Sequence, residues 1–323
     1  MRSRSGWIRF AVVVVLLLML PVLISEYRMN LAITIMIYSV FALSYNLLFG
    51  QGGLLSFGHA AYFGFGAYAC VILVKQLSLP LPLAIVLGGV AGCLLGLLFG
   101  IFVVRMRGVS FALLTLAFNQ LIYVTAEKWR AVTGGEDGLA FVRPSFHMAG
   151  FKIDLYATIN WYYFVLLVSL LCVGFLWYLT FTPLGRLNFC MRENEERAKF
   201  VGYNTYTARL AIYVISGFFA GIAGAMASSF QEFVSTTYIN LDKATDVLMM
   251  TFIGGGGTFL GPIIGAFALT LINDLLSTWM ERWAIVQGIL FILLVLYAPN
   301  GLSGLYLTLR DRWSRRAAVE TAT

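Results

Sequence analysis

Charge is scarce in this sequence. Asp, Glu, Lys and Arg together make up 11% of the 323 residues, less than half the share of an ordinary soluble domain. So few ionisable groups cannot keep a folded surface wet, which excludes a soluble enzyme or carrier. Histidine occurs twice and cysteine four times. His59 has no second histidine or carboxylate at metal-ligand spacing, so a helix-start or packing role fits it. Cys70, Cys93, Cys172 and Cys190 lack the close pairing of zinc or redox motifs and read as small buried hydrophobes. No nucleotide-binding loop is present. The run Gly254-Gly255-Gly256-Gly257 continues into Thr258-Phe259-Leu260-Gly261-Pro262, without the lysine a Walker loop requires.

What the chain has in excess is apolar length. Apolar residues reach 60% and mean hydropathy is +0.85. A bilayer core takes about 20 such residues per helical span and offers no partner to bare backbone amides, so long apolar runs cross it as helices. Runs fall near 8–25, 30–48, 58–74, 81–104, 109–126, 161–181, 210–230, 243–253, 259–276 and 283–298. They predict an all-α integral membrane protein, a polytopic helical bundle of about ten transmembrane segments forming one domain over 1–323. The first run follows Arg2, Arg4 and Arg9 and lacks a small-x-small cleavage site before Glu26-Tyr27-Arg28, so it reads as a retained span.

Charge counting fixes the topology. With ten segments and the amino terminus inside, 14 of the 22 Lys and Arg residues lie inside and 8 outside. Fusing the two segments around the four glycines divides the same residues 11 and 11. The positive-inside rule selects ten segments with both termini inside, and a tight inner turn at Gly254 to Gly257 between two short helices. The net charge of +7 then lies against anionic inner-leaflet lipid and needs no nucleic acid. Three polar stretches remain: an outer loop at about 127–160, an inner loop at about 182–209 and a basic tail at about 299–323.

The inner loop is the most charged part of the chain. In Arg192-Glu193-Asn194-Glu195-Glu196-Arg197-Ala198-Lys199-Phe200-Val201-Gly202, Glu193 with Arg197 and Glu195 with Lys199 are acid-then-base pairs at i,i+4. A short helix stopping at Gly202 is expected, with Phe200 and Val201 as an apolar edge. A second stretch, Gly50, Gly52, Gly53 and Gly58, interrupts an apolar region. Irregular backbone at membrane depth persists only where protein or a water-filled cavity satisfies it, so this is a candidate pathway element. Asn46, Gln51, Ser56 and Tyr62, with Thr115 and Asn119, offer hydrogen bonds to a passing solute without a full charge. Gly88, Gly92, Gly96 and Gly100 line one helix face, as do Gly217, Gly221 and Ala225, and predict close helix contact.

These motifs carry a resemblance. The stretch Asn46 to Tyr68, the run Phe111 to Phe118, Thr133-Gly134-Gly135 with Asp137-Gly138-Leu139, the inner loop with Pro183-Leu184-Gly185-Arg186, and Gly254 to Pro262 occur in one order. They resemble the permease subunits (M-type) of bacterial ATP-binding-cassette importers for branched-chain amino acids. The resemblance implies the importer permease fold, in the bacterial inner membrane with both termini cytoplasmic. It implies coupling to ATPase subunits through Glu195, Arg197, Ala198, Lys199 and Gly202, and binding-protein contact near Gly134, Gly135 and Asp137. It also implies a second, homologous permease and a periplasmic substrate-binding protein as partners, with ATP and Mg on the partner subunits and no cofactor in this chain. One departure stands out: the family usually has two adjacent alanines where this chain has Arg197-Ala198.

The residues also bear on mechanism. Gradient-driven pumps place ionisable groups inside the bundle, whereas Asp242, Asp246, Asp274 and Glu281 fall at segment ends and the mid-segment polar groups, such as Asn119 and Gln120, are neutral. Energy is therefore expected from separate ATPases. Leucine, isoleucine, valine or other small hydrophobic amino acids are the expected cargo, with urea or short-chain amides as the alternative on the same scaffold. A membrane-embedded enzyme would need a catalytic constellation that the sequence lacks, and a passive channel leaves the ordered inner helix unexplained.

Overall fold

The computed structural model describes residues 14–21, 24–144, 146–148, 151–153, 155–279, 283–297 and 301–304. The basic residues Arg2, Arg4 and Arg9, and the tail beyond 304, lie outside them. Seven helices have the length and composition to cross a bilayer: α1 (Glu26–Leu48), α2 (His59–Leu77), α3 (Leu81–Val103), α4 (Gly108–Lys128), α6 (Thr158–Phe181), α9 (Thr205–Gln231) and α11 (Gly261–Trp279). Shorter helices are α5 (Arg130–Thr133), α7 (Pro183–Glu193), α8 (Glu195–Phe200), α10 (Leu241–Gly254) and α12 (Trp283–Tyr297). The count of about ten spans is thus corrected to seven full-length helices among the described residues. Of the other three runs, two form helices of 14 and 15 residues, and the first is helical over residues 14–21. At 1.5 Å per residue α10 covers only about 21 Å, short of a ~30 Å core. The turn at the four glycines is likewise flanked by one short helix, α10, and one of 19 residues, α11.

Small residues explain how the helices meet. α9 lies at the centre against α3, α2 and α1. A Cβ added at Gly221 would stand 2.6 Å from the Gly88 carbonyl, and one at Gly92 would stand 3.1 Å from Gly221 Cα, so these backbones touch with no side chain between them. Gly96 is different: its added Cβ would lie 3.6 Å from the nearest atom. α1 packs on α6 and α11, and α10 on α11. α4 buries only a narrow stripe, Phe111, Ala112, Thr115, Asn119 and Ala126, and leaves Val109, Leu113, Leu121 and Val124 exposed. Among the cysteines, Cys70 and Cys172 are buried and Cys93 is partly so, but Cys190 is exposed because it lies on α7, outside the bundle.

The loops gather into two polar ends. At one, Arg107 pairs with Glu195 at 3.0 Å, Asn188 Nδ2 donates to Leu47 O at 2.8 Å, Arg192 donates to Gly50 O, and Thr258 and Ser303 hydroxyls meet at 3.0 Å. At the other, Lys75 donates to Ala140 O and Arg143 pairs with Glu232 at 2.7 Å. There β1 (Leu139–Ala140) pairs antiparallel with β4 (Phe233–Val234), and β2 (Phe146–Met148) pairs with β3 (Phe151–Ile153). Loops that charge counting assigns to the same side therefore meet one another.

Candidate functional site

The elbow at residues 182–204 is built from capping residues. Thr182 caps α7, its hydroxyl accepting from Gly185 N–H with Pro183 at the first helical position. Asn194 then leaves helical geometry at φ −158° and caps α8, accepting from Arg197 N–H at 2.9 Å. This break separates Glu193 from Arg197, so the first expected i,i+4 pair is not on one helix. The second forms, with Lys199 Nζ 3.4 Å from Glu195. Gly202, at φ +93°, takes a left-handed conformation that favours glycine and turns the chain toward α9.

Glu195 is the centre of the elbow. Its side chain is 10% exposed and meets Arg209 Nη2 at 2.5 Å, Arg107 Nη2 at 3.0 Å and the Thr205 hydroxyl at 3.0 Å. Burial pushes its carboxyl up, but Arg209, the Thr205 hydroxyl, Arg107 and Lys199 together outweigh that and hold it below the usual carboxylate range. Ala198 is also turned inward, packed with Met191 and Ala208. What α8 and its flank present outward is Arg197, Phe200, Val201 and Tyr203, with Phe200 90% exposed. Glu195 thus joins α8 to the α3–α4 turn and to α9. Sequence reading missed Arg107, Thr205 and Arg209, which count as generic inner charge or polarity until the fold brings them to one carboxylate.

The pathway candidates are buried. Residues 51–58 contain no regular helix. Thr115 Oγ1 accepts from Phe57 N–H at 3.0 Å and Ser56 Oγ from Gly58 N–H at 3.2 Å, so both satisfy the broken backbone. The Tyr62 hydroxyl donates to that of Tyr213. His59 is the first residue of α2; its Nε2 lies 2.9 Å from Ser44 Oγ, and its ring stacks on Phe41. Asn46 and Gln51 are buried, with the Asn46 amide and Gln51 Oε1 without a hydrogen-bond partner. Asn119 Nδ2 donates to Ile239 O at 2.9 Å. At the opposite end Gly134, Gly135 and Asp137 form a turn and a single 3-10 turn, fixed by Thr133 Oγ1 accepting from Gly135 N–H.

One expectation about charge is revised. Asp246 does not merely end a segment: it lies 3.4 Å from Lys243 Nζ, which donates to the Tyr38 hydroxyl at 2.9 Å. Tyr38 is near the middle of α1. The chain after β4 folds back into the bundle, with Tyr238 stacked on Phe63, so α10 starts at depth. Among the described residues no group of three or more His, Cys, Asp or Glu could hold a metal ion.

A polytopic helical bundle with a polar elbow at one end and broken backbone between its first two spanning helices has the build of a membrane permease. The chain belongs to the family described as "Branched-chain amino acid transport system / permease component", whose model matches residues 27–295, and it is a non-catalytic transport subunit. It is 27% identical to the high-affinity branched-chain amino acid transport system permease protein LivM of Salmonella typhimurium, over 87% of this chain and 71% of the relative. It is 23% identical to the probable branched-chain amino acid transport permease protein LivM of Methanocaldococcus jannaschii, over 82% of this chain and 90% of the relative. It is also 23% identical to the probable LivH permease of the same organism, over 81% and 87%. No solved structure matches the chain.

Proposed function

We propose that this chain is one permease of an ATP-driven importer for branched-chain or other small hydrophobic amino acids, set in the bacterial inner membrane with both termini cytoplasmic. The observation that carries the reading is the elbow: a short exposed helix, α8, tied through Glu195 to α3–α4 and α9. An ATPase subunit docks on Arg197, Phe200, Val201 and Tyr203, and Glu195 with Lys199 transmits its movement to the bundle. Gly202 lets the chain turn beneath it. A second, homologous permease covers the exposed face of α4, in keeping with the two permease names among the relatives. A periplasmic binding protein delivers cargo to the end that carries Gly134, Gly135 and Asp137, and Asn46, Gln51, Ser56, Tyr62, Thr115 and Asn119 lie along the route. ATP and Mg belong to the partner subunits. The cargo follows the names of the relatives.

The test is co-expression with the candidate ATPases, second permease and binding protein, followed by purification through this chain and reconstitution. ATPases should co-purify, and leucine uptake should require ATP. Phe200→Asp should release the ATPases while the permease still inserts. Uptake of urea with none of leucine would refute the cargo, and accumulation without ATPases would refute the mechanism.

A further inference from the structure

Asp242 is exposed, although it stands at a depth where an exposed carboxylate cannot face lipid. Two independent measures give that depth. The Ile239 carbonyl, three residues earlier, is held by Asn119, the twelfth residue of the 21 in α4. From the other direction, Asp242 precedes Gly254, the last residue of α10, by twelve residues, or about 18 Å of helix. That inner end is pinned, since a Cβ at Gly256 would stand 3.1 Å from Gly50 Cα, just past α1. Both measures place the start of α10 near the middle of the bundle. There a charged side chain costs a few kcal/mol at least unless it faces water, a partner or a countercharge. Asp242 takes only one hydrogen bond, from Asn240 Nδ2 at 2.9 Å, and no salt bridge includes it among the described residues.

Its neighbours extend the site. Lys243, half-buried, reaches Tyr38 and Asp246, so charges of both signs lie within one turn of helix. The amino-terminal end of α10 adds its own partial positive charge, and half-helices that start at mid-membrane commonly aim that end at anionic substrate groups. Asn119, fully buried, keeps Oδ1 without a partner beside the same backbone. Lys243 spends two of its three N–H donors on Tyr38 and Asp246 and keeps the third. Neither contact explains an exposed Asp242.

We propose that Asp242 and Lys243 line the translocation route and read the two charges of a zwitterionic solute, the carboxylate of Asp242 facing its ammonium and Lys243 its carboxylate. This deepens the amino-acid reading above and rests on it for the identity of the cargo, but the placement on the route does not.

The experiment uses the assembled transporter in membranes, with Cys190→Ser to remove the exposed native thiol. Asp242→Cys is reacted with a membrane-impermeant thiosulfonate, and Leu171→Cys, exposed on α6, serves as the lipid-facing control. Position 242 should react at least tenfold faster than position 171; equal rates would overturn the placement. In transport, Asp242→Asn should raise the leucine KM at least tenfold and weaken the preference for leucine over 4-methylpentanoate, which lacks the ammonium. An unchanged KM and preference would overturn the recognition role, and Asp242→Glu should recover part of the loss. If the amino-acid reading itself is wrong, the unsubstituted transporter takes up no leucine while the contrast in labelling persists.

Discussion

Replacing Glu195 with glutamine should free α8 from the bundle while leaving the bundle intact. The substitution keeps the shape and the Thr205 hydrogen bond but removes the charge that four groups share. The contributions differ with exposure. Arg209 and Glu195 are 11% and 10% exposed, and breaking a buried pair costs about 3–5 kcal/mol because the remaining charge is left uncompensated. Arg107 and Lys199 are 53% and 50% exposed, so solvent screening holds each contact to about 0.5 kcal/mol. The retained amide places the total near the lower bound, about 3 kcal/mol. A helix of six residues has no stability of its own, so this loss falls directly on its docking. At 1.4 kcal/mol per decade it raises local opening roughly 100-fold.

Hydrogen exchange of peptides spanning 194–204, measured in nanodiscs, reads that number. Glu195→Gln should accelerate exchange there by about two orders of magnitude, with α2 and α3 unaffected. Lys199→Gln, which removes only a screened contact, should change it by less than about fivefold. Wild-type protection in Glu195→Gln, or equal effects of the two substitutions, would refute the assignment of Glu195 as the tie. The functional counterpart under the proposed docking is uncoupling: ATPase subunits should stay bound through Phe200 and Val201, while hydrolysis no longer drives uptake.

Three other outcomes follow from the same contacts. The tie should be indifferent to pH near neutrality: a carboxyl held below its usual range contributes stability above that range and loses it as pH falls through the lowered value, so α8 should loosen only in acid, below the ordinary glutamate range, as exchange corrected for intrinsic rates will read. Gly92→Val should prevent α3 from seating on α9 and abolish a monodisperse peak in size exclusion, whereas Gly96→Ala, with 3.6 Å of room, should behave as wild type. Tyr213→Phe leaves the buried Tyr62 hydroxyl without an acceptor and should cost about 1–3 kcal/mol in thermal stability, while Tyr62→Phe with Tyr213→Phe together should cost less than either single change predicts.

What was legible in the sequence is what depends on neighbours along the chain. Seven apolar runs became full-length helices because hydrophobic length and backbone satisfaction leave a bilayer segment no alternative. The α8 helix and its stop at Gly202 were legible because caps and a left-handed glycine are local signals. The glycine faces at 88–100 and 217–225 announced close contact, but not that they meet each other, since every small-residue face looks alike until a partner is specified. Glu195 shows the limit more sharply. Its residue type and position suggested a surface that meets another subunit, yet the carboxylate is consumed within the chain, by Arg107, 88 positions away, and Arg209. Depth was the other hidden quantity. A charge next to an apolar run reads as the edge of the membrane, as Asp242 and Asp246 do. The segment 232–240 returns into the bundle before α10 begins, held by a tyrosine ring on Phe63 and an amide from Asn119, and it carries those charges inward. Hydropathy cannot register such a re-entry, because the residues that satisfy its backbone come from helices more than a hundred positions earlier.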